Sequence, residues 1–450
     1  MLKITERIDR LPSTPMLRKI LLAIGIAWTF DAMGQGMVSG VMAAIGRDWA
    51  LSGGQLGLLG SIGMLGMAFG ATLSGMAADK WGRKTMILAN LVIFGLASGF
   101  AGFSINYPML LIFRFITGFG LGGVGPVAFA LISEYSPTKI RGRNGILLES
   151  FWAWGWIIAA LVAYLLIPVY GWRAAFWAGA VPALAAVFLR RFIPESPRFL
   201  ESIGKEEEAE KLVQIMEKEA GASYQRESSN VSQQQTTPET SQKSHVGFKD
   251  LWSKKYLKDT IVLWVIWFGT NFGYYGFVLW TPTLLMGKGF DLVKSFEFTL
   301  IMCLAQLPGY YSAAYLVERI GRKKVLIIYF LGTAVAAWLF GHADTTTQVL
   351  VYGSLLYFFS LGAWGCVYAY TPEIYPTAAR ASGSGWATAF GRLGAFTAPF
   401  VVPVVYDFFG EEAGYTNVFV MLTAVFAVVA IVVAAIGKET MGKSLEEISE

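Results

Sequence analysis

The sequence has little charge for its length. Only 15% of its 450 residues are acidic or basic, whereas 55% are hydrophobic, and a soluble globular domain carries about 25% charged residues. Histidine and cysteine are also scarce, with two of each. Cys303 and Cys366 both lie inside apolar runs, so the sequence predicts neither a disulfide framework nor a metal site. These shortages argue against a soluble enzyme and indicate that lipid surrounds most of the chain.

Long apolar runs are what the sequence does contain. A helix needs about 20 apolar residues to cross the hydrocarbon core of a bilayer. Twelve runs approach or exceed this length: residues 18–45, 55–78, 85–104, 107–133, 145–168, 173–193, 259–285, 296–317, 325–341, 347–372, 383–404 and 415–437. The sequence therefore predicts an all-α polytopic membrane protein with twelve transmembrane helices.

The distribution of Lys and Arg predicts the orientation of these helices. Cytoplasmic loops of membrane proteins carry an excess of basic residues. If both termini are cytoplasmic, most of the 36 basic residues fall on that side, and the net charge of +5 needs no nucleic-acid partner to explain it. The exceptions lie in outer loops or within spans: Arg47, Arg173, Lys288, Lys294, Arg114 and Arg392. A multi-pass protein of the cell membrane (inner or plasma) with cytoplasmic termini is expected.

A long polar segment divides the chain between the sixth and seventh runs. Residues 194–258 form the expected cytoplasmic linker, with short helices and a stretch rich in Ser, Gln and Thr at 223–244 that is expected to be disordered. Residues 1–193 then form an N-terminal six-helix bundle. Residues 259–450 form a C-terminal six-helix bundle with a cytoplasmic tail.

The two halves repeat the same motifs at their cytoplasmic span ends. Matching positions are separated by 239 residues in each case: Asp79 and Glu318, Gly82 and Gly321, Glu134 and Glu373, Arg141 and Arg380. Four matches in one register indicate an internal repeat. Because each repeat holds an even number of spans, the halves are parallel repeats related by an axis along the membrane normal.

These repeated motifs predict a gate on the cytoplasmic side. Carboxylates and guanidinium groups at helix ends form charge-assisted hydrogen bonds, which can hold one face closed and separate when that face opens. The alternative is that the motifs are merely solvated, positive-inside loops. The predicted gate residues are Asp79, Arg83, Glu134, Arg141, Glu318, Arg322, Glu373 and Arg380.

The same motifs resemble those of the major facilitator superfamily over nearly the whole chain. Residues 194–200, Pro-Glu-Ser-Pro-Arg-Phe-Leu, and residues 438–440, Lys-Glu-Thr, resemble motifs of its sugar-porter and organic-ion branch. The fifth span departs from sugar porters because it begins its motif with Glu149 rather than glutamine, and the seventh span lacks their paired glutamines. Phe30-Asp31 and the Phe-Gly-Tyr-Tyr-Gly sequence at 272–276 resemble bacterial niacin permeases and their organic-anion relatives. The resemblance implies two pseudo-symmetric bundles that move a small solute by alternating access.

Ionisable residues inside the predicted spans are candidates for function, because a charge there costs several kcal/mol. Asp31 is the candidate for proton coupling, with Arg114 and Glu149 as further members of that group. Arg392 lies about nine residues into its span, near mid-membrane, where a guanidinium can bind a carboxylate through two hydrogen bonds. Structural alternatives remain open. In these alternatives Arg114 neutralises Asp31 or extends to the outer interface, and Arg392 is an intrahelical or Glu149-paired structural arginine. Glu149, about five residues into its span, reaches the inner interface.

Polar and aromatic side chains complete the predicted substrate site, since aromatic rings stack on ring-shaped solutes. Its residues are Arg392, Gln35, Asn271, Tyr274, Tyr275 and Trp386. No ATP-binding motif is present, so we expect proton symport of an aromatic monocarboxylate, with nicotinate as the best fit. Another aromatic acid, a sugar or a drug remains open, as does a non-transporting membrane sensor. The expected partners are the solute, protons and the bilayer; the chain is expected to be a monomer without a cofactor or metal.

Overall fold

The structure is a computed structural model, and it describes residues 4–231, 251–375 and 377–441. All regular secondary structure within these ranges is helical. The helices are Ile4–Asp9, Pro15–Asp48, Gly53–Trp81, Arg83–Ala101, Tyr107–Tyr135, Thr138–Tyr170, Trp172–Ala178, Val181–Leu189, Pro197–Ser202, Glu206–Val231, Leu257–Val278, Thr281–Gly287, Leu292–Leu304, Gln306–Ile320, Arg322–Gly341, Thr346–Ile374 and Thr377–Ile436.

Twelve helical segments are long and apolar enough to cross a membrane, which confirms the number predicted from the sequence. We number them spans 1–12. They begin at Pro15, Gly53, Arg83, Tyr107, Ile140, Trp172, Leu257, Leu292, Arg322, Thr346, Gly383 and Ala413.

Local sequence explains where several spans begin. Pro15 occupies the first turn of span 1, where its missing N–H costs no helical hydrogen bond. Thr14 accepts a hydrogen bond at Oγ1 from the Leu17 N–H (3.2 Å) and so caps this helix. At span 10, Thr345 and Gln348 form a reciprocal capping box.

Three spans are interrupted by short breaks. Spans 6 and 8 each consist of two helical pieces, and span 7 is continued after a break by the helix Thr281–Gly287. A proline lacks the backbone N–H that a continuing helix needs. One lies in the first turn after each break: Pro182, Pro282 and Pro308. Spans 11 and 12 are joined at Gly410, whose φ of 73° turns the chain.

The linker is helical over more of its length than the sequence suggested. The helix Glu206–Val231 covers the first residues of the polar stretch at 223–244, with a kink at Gly221, where φ is 56°. The remainder of the expected disordered stretch, from residue 232, lies outside the described residues. We call Pro197–Ser202 and Glu206–Val231 the linker helices.

The described residues belong to two compact units. The first takes residues from Met1–Gln35, Leu65–Trp156 and Phe176–Ser241, and the second from Gly36–Met64, Ile157–Ala175 and Gln242–Glu450. The second unit thus joins parts of spans 1, 2, 5 and 6 to the last six spans. The predicted boundaries at residues 193 and 259 describe the sequence repeat and stay a prediction.

Close helix contacts in the first unit depend on glycine. A Cβ on Gly122 of span 4 would lie 2.1 Å from the carbonyl oxygen of Met67 in span 2. Such an approach excludes any side chain at this position. Small residues at helix interfaces allow this backbone contact, which stabilises helix pairs in lipid.

Candidate substrate site and gates

The turn between spans 2 and 3 holds the first ion-pair cluster. Gly82 adopts φ 92° and ψ 157°, a conformation essentially restricted to glycine. The turn places the Arg83 guanidinium 2.9 Å from Asp79 and 3.2 Å from Glu134 at the end of span 4. Both carboxylates belong to the first unit, so these pairs join neighbouring helix ends within that unit.

The same turn recurs between spans 8 and 9. Gly321 adopts φ 98° and ψ 158°, and Arg322 binds Glu373 through two hydrogen bonds of 3.1 and 3.2 Å. This bidentate geometry is the strong form of an arginine–carboxylate contact. Glu318 is exposed at the end of span 8. The near-identical dihedral angles show that the 239-residue repeat extends to the backbone.

Two further carboxylates complete these clusters, and sequence reasoning missed them. Glu195 accepts hydrogen bonds from the backbone N–H groups of Arg83 (2.8 Å) and Lys84 (3.2 Å). Glu439 accepts one from the N–H of Arg322 (2.9 Å). Each therefore caps the start of a span, where the helix dipole favours negative charge. Both lie in motifs that carry the family resemblance, but their spacing differs from the repeat offset, so the repeat did not reveal them.

Replacing Gly82 with alanine is expected to destabilise the protein by about 1–3 kcal/mol because of its backbone conformation. A Cβ would also lie 2.1 Å from the Glu195 carboxylate and displace it. Gly171→Ala is the matched control, since Gly171 also has positive φ (74°) but open space around its Cβ position. Thermal unfolding in detergent gives the melting temperatures of both variants. Equal melting temperatures for the two variants would contradict a role for the Glu195 cap.

The remaining predicted gate arginines differ in what surrounds them. Arg141 lies 3.3 Å from the Asp9 carboxylate and donates a further hydrogen bond to the carbonyl of Ser136 (3.3 Å). Asp9 belongs to the N-terminal helix Ile4–Asp9, which the sequence did not assign to the gate. Arg380 belongs to a described helix, but its side chain lies outside what the structure describes.

Asp31 is buried in span 1, with 1% of its surface exposed. Gln35, one turn later, donates a hydrogen bond to its carboxylate (2.9 Å). Span 1 also packs on span 5, where Thr29 donates to the carbonyl of Phe151 (3.2 Å). The structure thus brings together Asp31 and Gln35, the two polar residues that the sequence singled out in this span.

Arg114 is buried in span 4 but does not lie level with Asp31. Two contacts show how spans 1 and 4 align. Leu121 of span 4 lies against Gly34 of span 1, and Gly125 of span 4 lies against Trp28 of span 1. Arg114 lies about two turns beyond Leu121, or about 10 Å along the axis. Its Nε has no hydrogen-bond partner among the described residues. Pairing between Arg114 and Asp31 therefore stays a prediction for another conformation.

Glu149 lies deeper in its helix than the sequence suggested. The helix of span 5 begins at Thr138, so Glu149 is about three turns from the helix start. The apolar run used to predict this span omits the polar first turns. Glu149 is 8% exposed, and a carboxylate buried at this depth remains a candidate for proton coupling.

Arg392 is exposed on span 11, on the side that approaches span 2. One turn further along, the Phe396 carbonyl accepts a hydrogen bond from Ser61 of span 2 (2.8 Å). The adjacent residue Gly391 instead packs against Trp267 and Asn271 of span 7. Arg392 makes no hydrogen bond or ion pair with the described residues, so its guanidinium donors are available to a ligand.

Aromatic side chains cluster between spans 7 and 10. Trp267 donates its indole N–H to Thr371 (3.0 Å) and meets the rings of Trp364 and Tyr368 edge to face, with centroids 5.8 and 5.4 Å apart. Trp364 and Tyr368 stack on each other at 5.7 Å. The prediction omitted both, although their spacing of four residues puts two aromatic rings on one helix face.

The other predicted substrate residues are distributed around this cluster. Tyr274, Tyr275 and Asn271 are at most 2% exposed, and the Tyr274 ring lies 6.0 Å from that of Trp364. Trp386 is 45% exposed, but six residues separate it from Arg392, which places the two about 120° apart around the helix. The structure therefore places the tyrosines beside this aromatic cluster, and it places Trp386 on a different face of span 11 from Arg392.

Gln306 is a buried polar residue that the sequence did not single out. It begins the second piece of span 8 and is 0% exposed, and within the described structure its amide finds only the Cys303 thiol as a polar side-chain neighbour. An amide left without partners costs about 1–3 kcal/mol. Its position in an apolar run, two residues before Pro308, was the available signal.

Comparison with known proteins decides the class of this molecule. The family model for "Sugar (and other) transporter" matches residues 35–450. The chain belongs to this transporter family. The niacin transporter NiaP of Acinetobacter baylyi is 45% identical over 448 residues, which cover 99% of both chains. A putative niacin/nicotinamide transporter NiaP of Bacillus subtilis is 40% identical over 433 residues, covering 95% of this chain and 98% of the relative.

Solved structures agree with this membership at the level of the fold. The inward-open xylose transporter XylE of Escherichia coli superimposes with a TM-score of 0.73 at 20% identity, covering 96% of this chain and 99% of XylE. The predicted major facilitator fold is thereby confirmed. The chain is a multi-pass membrane transporter of this family and not an enzyme.

Proposed function

We propose that the protein takes up nicotinate together with protons. The observation that carries this proposal is the 45% identity to a niacin transporter along the whole chain. Nicotinate is a planar aromatic ring with one carboxylate. The exposed Arg392 supplies the donors that suit a carboxylate, and the cluster of Trp267, Trp364 and Tyr368 supplies ring faces and edges for stacking.

Competition for uptake tests the substrate assignment. Cells that express the protein should accumulate labelled nicotinate, and excess unlabelled nicotinate should abolish the signal. Benzoate tests the need for the ring nitrogen, nicotinamide the need for the carboxylate, and xylose the sugar alternative. Strong inhibition by xylose, with none by nicotinate, would overturn the assignment.

Alternating access requires that each face of the transporter open in turn. We assign the ion-pair clusters of Arg83 and Arg322 to the cytoplasmic face, which carries both termini. The opposite gate is assigned to contacts in the second unit between spans of the two repeats. There Ser39 donates to the carbonyl of Val278 (2.9 Å), and a Cβ on Gly57 would lie 2.7 Å from the Pro399 carbonyl oxygen.

Asp31 is assigned to proton coupling because it is the buried carboxylate of span 1, held by Gln35. Asp31→Asn removes the group that binds the proton while keeping its shape. We expect uptake in proteoliposomes to lose its response to an imposed pH gradient, whereas exchange of labelled for unlabelled nicotinate continues within about threefold of wild type. Glu297→Gln is the control, since Glu297 pairs with Lys294 on the surface of span 8. A pH-driven response in Asp31→Asn equal to wild type would reject this role.

A further inference from the structure

The N-terminal helix Ile4–Asp9 packs against the linker helices. Ile4 and Ile8 are 7% and 0% exposed and pack in one apolar cluster with Leu200, Ala209 and Val213 of the linker helices. A helix of six residues is too short to be stable alone. Its structure therefore depends on this contact, which fixes its position on the linker.

A half-buried guanidinium strengthens the same contact. Arg7 donates hydrogen bonds of 2.5 and 3.0 Å to Glu210, and of 2.9 and 2.8 Å to Glu217. The two carboxylates lie two turns apart on one face of the linker helix. Hydrogen bonds with Glu217 and then with Glu210 raise the pKa of Arg7, and the bond with Arg7 lowers the pKa of Glu210. Arg7 thus holds the N-terminal helix on the linker helix by binding two carboxylates that lie two turns apart.

The N-terminal helix and the linker helix that it packs on each contact one membrane span. Asp9, at its end, lies 3.3 Å from Arg141 at the start of span 5. Glu219 of the linker accepts a hydrogen bond from the Met16 N–H in the first turn of span 1 (2.7 Å). The linker is therefore connected to span 5 through Asp9 and to span 1 through Glu219. All of these residues belong to the first unit.

We propose that Asp9 is a positioning residue for the gate arginine Arg141, and that Arg7 holds Asp9 in place by binding Glu210 and Glu217. The N-terminal helix then transmits the position of the linker to the start of span 5. Glu134, the gate carboxylate at the end of span 4, is bound to Arg83, as its counterpart Glu373 is bound to Arg322. Among the described residues of this unit, Asp9 is the carboxylate that lies beside Arg141.

The test compares net uptake with exchange of nicotinate in proteoliposomes, and so uses the proposed function. Net uptake needs both the loaded and the empty transporter to reorient, whereas exchange needs only the loaded form. A gating role changes the ratio of the two rates, but a loss of folded protein lowers both equally. We expect Asp9→Asn and Arg7→Gln each to change the ratio by about three- to tenfold, as the loss of about 1 kcal/mol in a gate contact allows.

Two controls bracket this result. Glu6→Gln alters an exposed carboxylate of the same helix and should leave the ratio at the wild-type value. The exchanged pair Asp9→Arg with Arg141→Asp should return the ratio towards wild type. An unchanged ratio in Asp9→Asn, or a change that the exchanged pair does not reverse, would overturn the proposal.

Hydrogen exchange separates this inference from the substrate assignment. If the wild-type protein does not transport nicotinate at all, the proposed function is wrong, but the contact between Asp9 and Arg141 can still be tested. Arg7→Gln should speed amide exchange at least about tenfold in residues 4–9 and 206–217, and Asp9→Asn should do so in residues 140–148. Wild-type exchange rates in all three segments would reject the proposed connection.

Discussion

Arg392→Ala is expected to lower the kcat/KM for nicotinate uptake by about 100-fold or more. Removing one partner of a desolvated, hydrogen-bonded charge pair costs about 2–5 kcal/mol, and each 1.4 kcal/mol is a factor of ten. Arg392→Lys retains the charge but loses the planar pair of donors, so its loss should be intermediate. Initial rates of labelled nicotinate uptake give kcat/KM for the wild type and the two variants.

The solute provides an internal control for this experiment. Nicotinamide has the same ring without the carboxylate charge, so Arg392→Ala should reduce any transport of nicotinamide much less than transport of nicotinate. Arg190→Ala, which removes an exposed arginine at the end of span 6, should leave both rates near wild type. Equal kcat/KM values for nicotinate in Arg392→Ala and wild type would contradict the carboxylate contact.

Gly57→Trp is expected to reduce net uptake to the background rate. Gly57 lies so close to span 11 that even a Cβ would approach the Pro399 carbonyl oxygen to 2.7 Å. An indole cannot fit between these backbones, so the proposed outer gate cannot close and the transport cycle stops. The helix itself tolerates tryptophan in lipid, so the protein should still insert and fold.

Gly54 offers a matched control on the same helix. It lies one turn earlier in span 2, and a Cβ there would meet no atom within 4 Å. Gly54→Trp should therefore retain uptake within about twofold of wild type, because surface substitutions usually change stability by at most about 0.5 kcal/mol. Background uptake in both variants, or wild-type uptake in Gly57→Trp, would contradict the assignment of the gate to this contact.

Repetition made the turns at Gly82 and Gly321 predictable. A glycine followed by arginine after an apolar run indicates a tight turn, and its recurrence after 239 residues indicates a second copy of the same structure. That Glu134 and Glu373 belong to the same motifs also followed from this offset, although the offset did not assign them to Arg83 and Arg322. Glu195 and Glu439 did not, since they cap spans 3 and 9 from segments that break the offset.

Contacts between distant segments set the limit of sequence reasoning. Asp9 and Arg141 are 132 residues apart, and no periodicity links a short N-terminal helix to the start of span 5. The helix that carries Glu149 begins at Thr138, before the predicted run at 145–168, because hydropathy marks the apolar part of a helix and not its polar first turns. Trp364 and Tyr368 were overlooked because aromatic residues are common throughout the spans, and only packing distinguishes a cluster.

Concentrative uptake by the purified protein tests the central claim most directly. Proteoliposomes holding only this transporter should accumulate labelled nicotinate above the external concentration when the lumen is alkaline, and a protonophore should release it. Nicotinate that binds to the protein without accumulating would contradict the claim and favour a membrane sensor. Accumulation unaffected by the pH gradient would contradict the coupling to protons.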